Sequence, residues 1–408
     1  MLDSSIYKSF SWPFLISVVF FIWHTTIPVL GFYTPTAVFA ACVLFLYAFI
    51  FVQFGKSNKL YRNIGIIILI LDLYLLALLY SGGNNLVTTL YGTMQMGLYP
   101  LLIMIIAEHF NEKFIRYLFW AVIGSYVFTA ITTYIGCILY PGAARTLAIP
   151  EEEMGSEVFT MYKMANIGNL TFTYSLVLLL PQIIYMIKSK IGCRFISITM
   201  LLVLTMTILE TEYTTALLLM MICYFLFFLP VRIERNHIWA LIFIAIFVFF
   251  VGKFIIGDLL VWTSTIVSSD TMAVRLNEFG MVLSNGVNSV DDGDVGSRME
   301  LFNISIKSFL SSPLLGGGVA GGHSLFFDSL ARYGFVGLMA FYLSYKKSWK
   351  HLYKPFICQP YYGYLMFTFL LVIAMAILNP KDNLGVLTFI IPLFALYYNH
   401  KYESSLDC

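Results

Sequence analysis

Apolar stretches of about 17–23 residues recur along the whole chain, and each could cross a bilayer core of roughly 30 Å as a helix. With 60% apolar and 11% charged residues, the composition is far from that of soluble domains, which are about one quarter charged. The predicted spans, about twelve, lie near 12–30, 33–53, 64–81, 86–107, 114–138, 167–187, 195–209, 213–230, 237–257, 326–345, 360–379 and 384–399. The sequence therefore predicts an all-α polytopic membrane protein, with residues 1–408 forming one membrane domain.

The lysine and arginine residues predict the orientation, because basic residues near a span resist translocation. With the N-terminus inside, every second connection is basic. These connections contain Lys56, Lys59, Arg62, Lys113, Arg116, Lys188, Lys190, Arg194, Arg232, Arg235, Lys346, Lys347, Lys350, Lys354 and Lys401. The short outer connections contain one basic residue, Lys381. Both termini are therefore expected on the cytoplasmic side, and the first span is expected to be retained.

The lysine and arginine residues fit the predicted membrane orientation, and we therefore expect no nucleic-acid partner. The net charge is only +2, and its carriers follow the predicted spans. The sequence has no Cys/His spacing typical of a metal site, no Walker A loop and no glycine-rich dinucleotide fingerprint. We expect neither a metal nor a cofactor.

Two of the predicted outer connections are long, and they contain most of the unusual polar residues. The first covers residues 140–168 and includes Arg145, and the second covers residues 258–323 and includes Arg275 and Arg298. Charged residues are rarely accumulated in a membrane protein without a polar ligand or partner. We therefore expect the active-site region in these two loops, with amphipathic helices in the second.

An amphipathic helix with an arginine near its start is predicted in the second loop. Ser297 and Glu300 have the spacing of a capping box, and an apolar stripe follows. The stripe consists of Met299, Phe302, Ile306, Phe309 and Leu310. A cation is disfavoured in the first turn of a helix, so Arg298 there indicates an anionic partner. The alternative is a salt bridge to Asp291, Asp292, Asp294 or Glu300.

A glycine run follows this helix. Gly316, Gly317, Gly318, Gly321 and Gly322 can adopt backbone shapes closed to other residues. Successive amide N–H groups in such a run can form a concavity that binds an anion. The other interpretation is a flexible connector.

His323 directly follows the glycines and is the one histidine expected to face the outer side. An imidazole titrates near neutrality and can accept a proton from a hydroxyl group. Ser324 is predicted to cap the next helix, and Asp328, about one turn further on, is a candidate to orient the ring. The alternatives are a structural histidine, and an Asp328 that is solvated or paired with Arg332.

These residues together resemble the outer loop of the O-antigen ligase and polymerase superfamily, which includes bacterial Wzy-type repeat-unit polymerases. The resemblance rests on the helix begun by Arg298, on a P-L-x-G-x-G turn from Pro313, and on H-S-x-x-x-D-x-L-x-x-x-G-x-x-G from His323 to Gly337. About twelve spans and a large late outer loop extend it.

The resemblance implies a GT-C-like membrane fold and a metal-independent, inverting glycosyltransferase that needs no cofactor. It implies polymerisation of undecaprenyl-pyrophosphate-linked repeat units at the outer face of the bacterial cytoplasmic membrane, for O-antigen of lipopolysaccharide, capsule or exopolysaccharide. The expected partners are the lipid-linked donor and acceptor, membrane lipids, a chain-length regulator and a flippase.

The resemblance also implies roles for single residues. His323 becomes the general base, and Arg298 becomes a catalytic group that binds the diphosphate with its paired donors. Polymerases of the family have R-x(n)-G patterns in two outer loops, and Arg145 and Arg275 each begin such a pattern here. They and the glycine run are the further candidates for diphosphate binding.

One position departs from the family. Ligase-like relatives have an arginine in a T-x-S-R-T-A-L-like stretch, whereas residues 210–217 have Tyr213 at that place. Tyr213 and Asp328 are candidate orienting groups, and a ligase that transfers glycan to lipid A-core is the alternative function. A lipid-linked oligosaccharide flippase is the alternative from another class, but it would require paired charges near mid-membrane.

Overall fold

The computed structural model describes residues 4–54, 86–147, 156–232, 257–266, 270–285, 294–353, 360–378 and 385–406. These residues are mostly helical and include no strand. The helices are α1 (Ser4–Thr26), α2 (Pro28–Tyr33), α3 (Thr36–Phe54), α4 (Leu86–His109), α5 (Glu112–Leu139), α6 (Ala143–Thr146), α7 (Ser156–Met164), α8 (Leu170–Ser189), α9 (Arg194–Glu210), α10 (Thr214–Tyr224), α11 (Asp270–Asn285), α12 (Asp294–Ser311), α13 (Leu325–Tyr353), α14 (Tyr362–Leu378) and α15 (Ile391–Leu406). The predicted all-α fold is confirmed.

The predicted spans can be compared with these helices. Within the part of the chain whose side chains are described, two helices are long and apolar enough to cross a membrane, Glu112–Leu139 and Leu170–Ser189. Six apolar stretches are shorter: Trp12–Thr26, Thr36–Val52, Gly97–His109, Thr214–Phe227, Tyr362–Leu378 and Val386–Asn399. The predicted span at 64–81 and all but the last residue of the predicted span at 237–257 lie outside the described residues. The arrangement of twelve spans stays a prediction.

The chain forms two compact units. The first unit consists of Met1–Thr211, Met339–Cys358 and Asn383–Cys408, and the second consists of Glu212–Leu338 and Gln359–Asp382. The predicted long loop 140–168 belongs to the first unit and the loop 258–323 to the second.

Helix α8 is the centre of the first unit. Its residues are buried without interruption from Phe172 to Ile187, because the helix is apolar all around. It packs on α9, which packs on α5, and α5 in turn contacts α1. Asparagine side chains begin two of these helices: Asn111 Oδ1 accepts from Phe114 N, and Asn169 Oδ1 accepts from Phe172 N. Such caps satisfy N–H groups that have no partner within the helix.

Polar side chains connect the first loop to the first unit. Asn166 Nδ2 donates to Thr132 Oγ1 at 2.8 Å, and Asn166 Oδ1 accepts from Val29 N at 3.0 Å. Gly168 N donates to Thr133 Oγ1 at 2.7 Å. The end of the loop 140–168 is therefore fixed to α5 and α2 by buried and partly buried hydrogen bonds.

In the second unit, α10 contacts α11, and α11 contacts α12. A helical stretch at 257–264 crosses α11 where two glycines meet. A Cβ atom added to Gly257 would lie 2.7 Å from the carbonyl oxygen of Gly280, so neither position has room for a side chain. The second unit thus places α12, which contains Arg298, beside the other helices of the second loop.

Candidate functional site

Helix α12 begins earlier than the sequence predicted. It begins at Asp294, so Ser297 does not cap it and the capping-box prediction was wrong. Arg298 is the fifth residue of the helix and lies beyond its first turn. The helix dipole falls off within that turn, so it no longer argues for an anionic partner of Arg298. The structure describes the backbone position of Arg298 in α12, and its binding of an anion stays a prediction.

One face of α12 packs against α13. The Phe302 and Phe327 rings are 5.8 Å apart between centroids, and those of Phe309 and Phe335 are 5.3 Å apart. Ser305 lies on α12 between Phe302 and Phe309 and is completely buried. Arg298 precedes Ser305 by seven residues, which is about two helical turns along α12.

The predicted stripe is only partly correct. Phe302 and Phe309 pack as described, whereas Leu310 is 65% exposed and Ile306 is also exposed. The packing face runs through a serine, which a search for apolar periodicity passes over. The signal for Ser305 was its interval from Phe302 and Phe309, three and four residues, which places it on their face.

The amide groups of the glycine loop are already used by the protein. Gly316 N donates to Ser312 O, and Gly318 N donates to Ala331 O at 3.1 Å. Gly321 N donates to Ser305 Oγ at 2.9 Å. Gly322 N donates to a carboxylate oxygen of Asp328. These contacts fold the run into an ordered turn, which favours neither a flexible connector nor a free set of donors for phosphate.

The anion held by this turn is the carboxylate of Asp328. Ser305 Oγ donates to Asp328 Oδ1 at 2.6 Å, and Gly322 N donates to the same oxygen at 3.2 Å. Ser324 N donates to Asp328 Oδ2 at 3.1 Å. Asp328 is only 7% exposed, and three donors of this kind match an ionised carboxylate. The amides of Gly316, Gly318, Gly321 and Gly322 thus have acceptors within the protein, and the part of the glycine run, Gly317 included, in diphosphate binding stays a prediction.

Asp328 was predicted as an orienting group for the imidazole, with solvation or pairing with Arg332 as alternatives. The Asp328 carboxylate instead accepts hydrogen bonds from the backbone on both sides of His323, at Gly322 and Ser324. Solvation is excluded by its burial. Its contact with Gly322 and Ser324 orients the backbone that carries His323.

Ser324 caps α13, as predicted. Its Oγ accepts from Phe327 N at 3.3 Å, and it donates to Ala376 O of α14 at 3.2 Å. Asp328 N donates to Ser324 O at 2.8 Å, which closes the first turn of the helix. His323 thus directly precedes a cap that is anchored to two helices, and the side chain of His323 is partly exposed.

The start of α13 is separated from its remainder by a kink at Gly334. This residue has φ 59° and ψ −165°, a conformation open to glycine and strained for other residues. Beyond the kink, Phe335 N donates to Pro313 O at 2.9 Å and Val336 N donates to Leu314 O at 3.1 Å. The kink leaves the amides of Phe335 and Val336 available to bond the segment that leads into the glycine loop.

The glycine loop approaches α12 two residues before His323. The backbone of Gly321 lies directly against Leu301, because a Cβ atom on Gly321 would overlap the Leu301 backbone. Arg298 is about 4.5 Å from Leu301 along the helix axis, since each residue rises about 1.5 Å. One residue, Gly322, separates Gly321 from His323, so their Cα atoms are about 7.6 Å apart at most.

The other predicted site residues lie elsewhere in the sequence. Arg145 is in the short helix α6 of the first unit and is partly exposed. Arg275 is in α11 of the second unit. Tyr213 is the N-cap residue of α10 and is 8% exposed. Their participation in a site with His323 stays a prediction.

Comparisons with known proteins give no further information about the site. No family model matches the chain, and no curated protein and no solved structure shows significant similarity to it.

Proposed function

We propose that this chain is a polytopic membrane glycosyltransferase that polymerises undecaprenyl-pyrophosphate-linked oligosaccharide repeat units. The reaction takes place at the outer face of the bacterial cytoplasmic membrane, with both termini in the cytoplasm. The products are O-antigen, capsule or exopolysaccharide. The fold is of the GT-C-like type and has about twelve transmembrane helices.

Exposed apolar side chains support the membrane setting. Ile16, Val52, Leu139 and Phe195 lie on four different helices and are each more than half exposed. Large exposed apolar patches are uncommon on soluble monomers, whereas lipid accommodates them without cost. The alternation of basic connections gives the orientation.

One observation supports the proposed chemistry: Gly321, two positions before His323, lies against Leu301 of α12, which is one helical turn from Arg298. A glycan on a polyprenyl diphosphate already has a good leaving group. The protein must bind the diphosphate, stabilise the charge that develops on it, and accept the proton of the incoming hydroxyl group. A guanidinium and an imidazole are suited to these tasks.

The proposed step is a single displacement. The acceptor hydroxyl oxygen attacks C1 of the donor sugar, the bond between C1 and the phosphate oxygen breaks, and undecaprenyl pyrophosphate leaves with the bonding electrons. The hydroxyl proton passes to His323, while Arg298 stabilises the charge on the departing diphosphate. Loss of one such group typically raises a barrier by about 3–4 kcal/mol. Arg145 and Arg275 remain candidate diphosphate ligands.

The test uses purified full-length protein in detergent or liposomes with undecaprenyl-pyrophosphate repeat units as the only substrate. Lengthened glycans on the lipid support a polymerase. Transfer that depends on an added lipid A-core acceptor would instead identify a ligase. Movement of the lipid-linked glycan across liposomes without new glycosidic bonds would identify a flippase.

Two variants test the assignment of residues. We expect His323→Ala and Arg298→Ala to abolish chain extension at unchanged membrane expression. His351→Ala is the matched control, since it removes a histidine near the far end of the same helix α13. Products of wild-type length from both active-site variants would refute the assignment.

A further inference from the structure

We propose that Ser305 and Asp328 are positioning residues, which together form a latch that holds His323 at a fixed place relative to Arg298. The latch consists of the Ser305 hydroxyl, the Asp328 carboxylate and the amides of Gly321, Gly322 and Ser324. Its existence follows from the contacts alone, and its catalytic consequence rests on the proposed function.

The two side chains of the latch are buried: Ser305 fully and Asp328 nearly so. A carboxylate in such surroundings is strongly disfavoured unless donors surround it. Here the donors come from three segments: α12, the glycine loop and the first residue before α13. A buried charge that joins three segments fixes their relative position.

The Ser305 hydroxyl makes two hydrogen bonds in the latch. It donates to Asp328 Oδ1 at 2.6 Å and accepts from Gly321 N at 2.9 Å. Alanine at this position would remove both bonds and would leave the Gly321 amide and the carboxylate without this partner. A single hydroxyl thus connects the helix of Arg298 with both the loop and α13.

His323 lies, along the chain, between amides that donate hydrogen bonds in the latch. Gly321 and Gly322 precede it and Ser324 follows it, and all three amides donate into the latch. The backbone of His323 is therefore restrained from both sides while its side chain stays partly exposed. A displacement of about 1 Å in a reacting group can reduce a rate about 100-fold.

The experiment compares Ser305→Ala and Asp328→Asn with Ser311→Ala as the matched control. The Ser311 hydroxyl donates within its own helix, to Ser308 O, so its removal leaves the latch intact. Two quantities are measured in the full-length protein: hydrogen–deuterium exchange of the amides between residues 318 and 324, and the steady-state kinetics of chain extension.

A latch predicts faster exchange in both variants, by about tenfold, because buried donors lose their acceptor. It predicts a kcat about 100-fold lower with a KM for the lipid-linked repeat unit close to that of wild type. Ser305→Thr retains the hydroxyl and should recover part of the kcat. The control should match wild type in both measurements.

Two results would overturn the proposal: unchanged exchange in both variants, or faster exchange with wild-type kcat. A KM that rises while kcat is retained would show a binding role and would also contradict it. If the wild-type protein transfers no glycan, the proposed function fails, while the exchange data still decide whether the latch exists.

Discussion

Gly321 and Leu301 lie backbone against backbone, so the glycine loop contacts α12 one helical turn from Arg298. The absence of a side chain at residue 321 is what permits this approach. Two residues twenty positions apart in the chain thus join the glycine loop, which leads to His323, to the helix that contains Arg298.

Gly321→Ala is therefore expected to reduce chain extension and to lower stability by about 1–3 kcal/mol, the usual range for an overpacked site. Gly124→Ala in α5 is the control, since a Cβ atom there meets nothing within 4 Å. The measurements are product length and the midpoint of thermal unfolding in detergent. A Gly321→Ala protein with the behaviour of the control would contradict the close contact.

The sequence predicted the existence of the helices well. Helical and apolar segments follow directly from hydrophobic composition, which does not depend on distant residues. The predicted start of α12, Arg298, was wrong by four residues because Ser297 and Glu300 satisfy the capping pattern by chance, inside a helix that begins at Asp294. Local patterns cannot reveal which of several polar residues begins a helix.

The site was predicted less completely. Ser324 was identified as a cap because capping is local. The partners of the loop amides were missed, because they depend on Ser305, twenty-three residues before Asp328. An anion-binding turn and a turn that binds its own carboxylate have the same glycine pattern, and only the tertiary structure distinguishes them.

Loss of the cap at Ser324 should destabilise the start of α13. Ser324→Ala removes the bond from Phe327 N and the bond to Ala376 O. We expect a loss of about 0.5–2 kcal/mol of stability, the range for capping residues. The measurement is the denaturant midpoint, and Ser311→Ala serves as the control. An unchanged midpoint for Ser324→Ala would show that the cap contributes nothing.

Asn166 provides a test in the first unit. Its side chain bonds Thr132 and the Val29 amide, and its backbone has φ 57°. Asn166→Ala should cost about 1–3 kcal/mol for each buried group that loses its partner. Asn166→Gly loses the same bonds, but glycine adopts the left-handed conformation without the strain that alanine would have, which is about 1–2 kcal/mol. The midpoint of thermal unfolding should therefore be higher for Asn166→Gly than for Asn166→Ala. The reverse order would refute the role of the left-handed backbone.

Removal of divalent metals should leave the activity unchanged. In the proposed reaction guanidinium groups neutralise the diphosphate, so EDTA should not reduce the yield of lengthened glycan. Asp292 and Asp294 form a D-x-D pattern, which some sugar-nucleotide enzymes use for a metal, and Asp292 lies outside the described residues. Activity that EDTA abolishes and a divalent ion restores would assign a metal to the reaction.

The charge on Arg298 is not sufficient for its proposed role, because a guanidinium presents paired donors in a plane and an ammonium does not. Arg298→Lys should therefore lose most of the chain-extension activity, by about 100- to 1,000-fold if one well-placed donor is lost. Arg332→Lys is the control, since it makes the same exchange at an exposed position of α13. The rate of chain extension is measured at saturating substrate for both variants. Full activity of Arg298→Lys would leave a simple charge effect as the explanation, whereas equal losses in both variants would point to a general requirement for arginine on this surface.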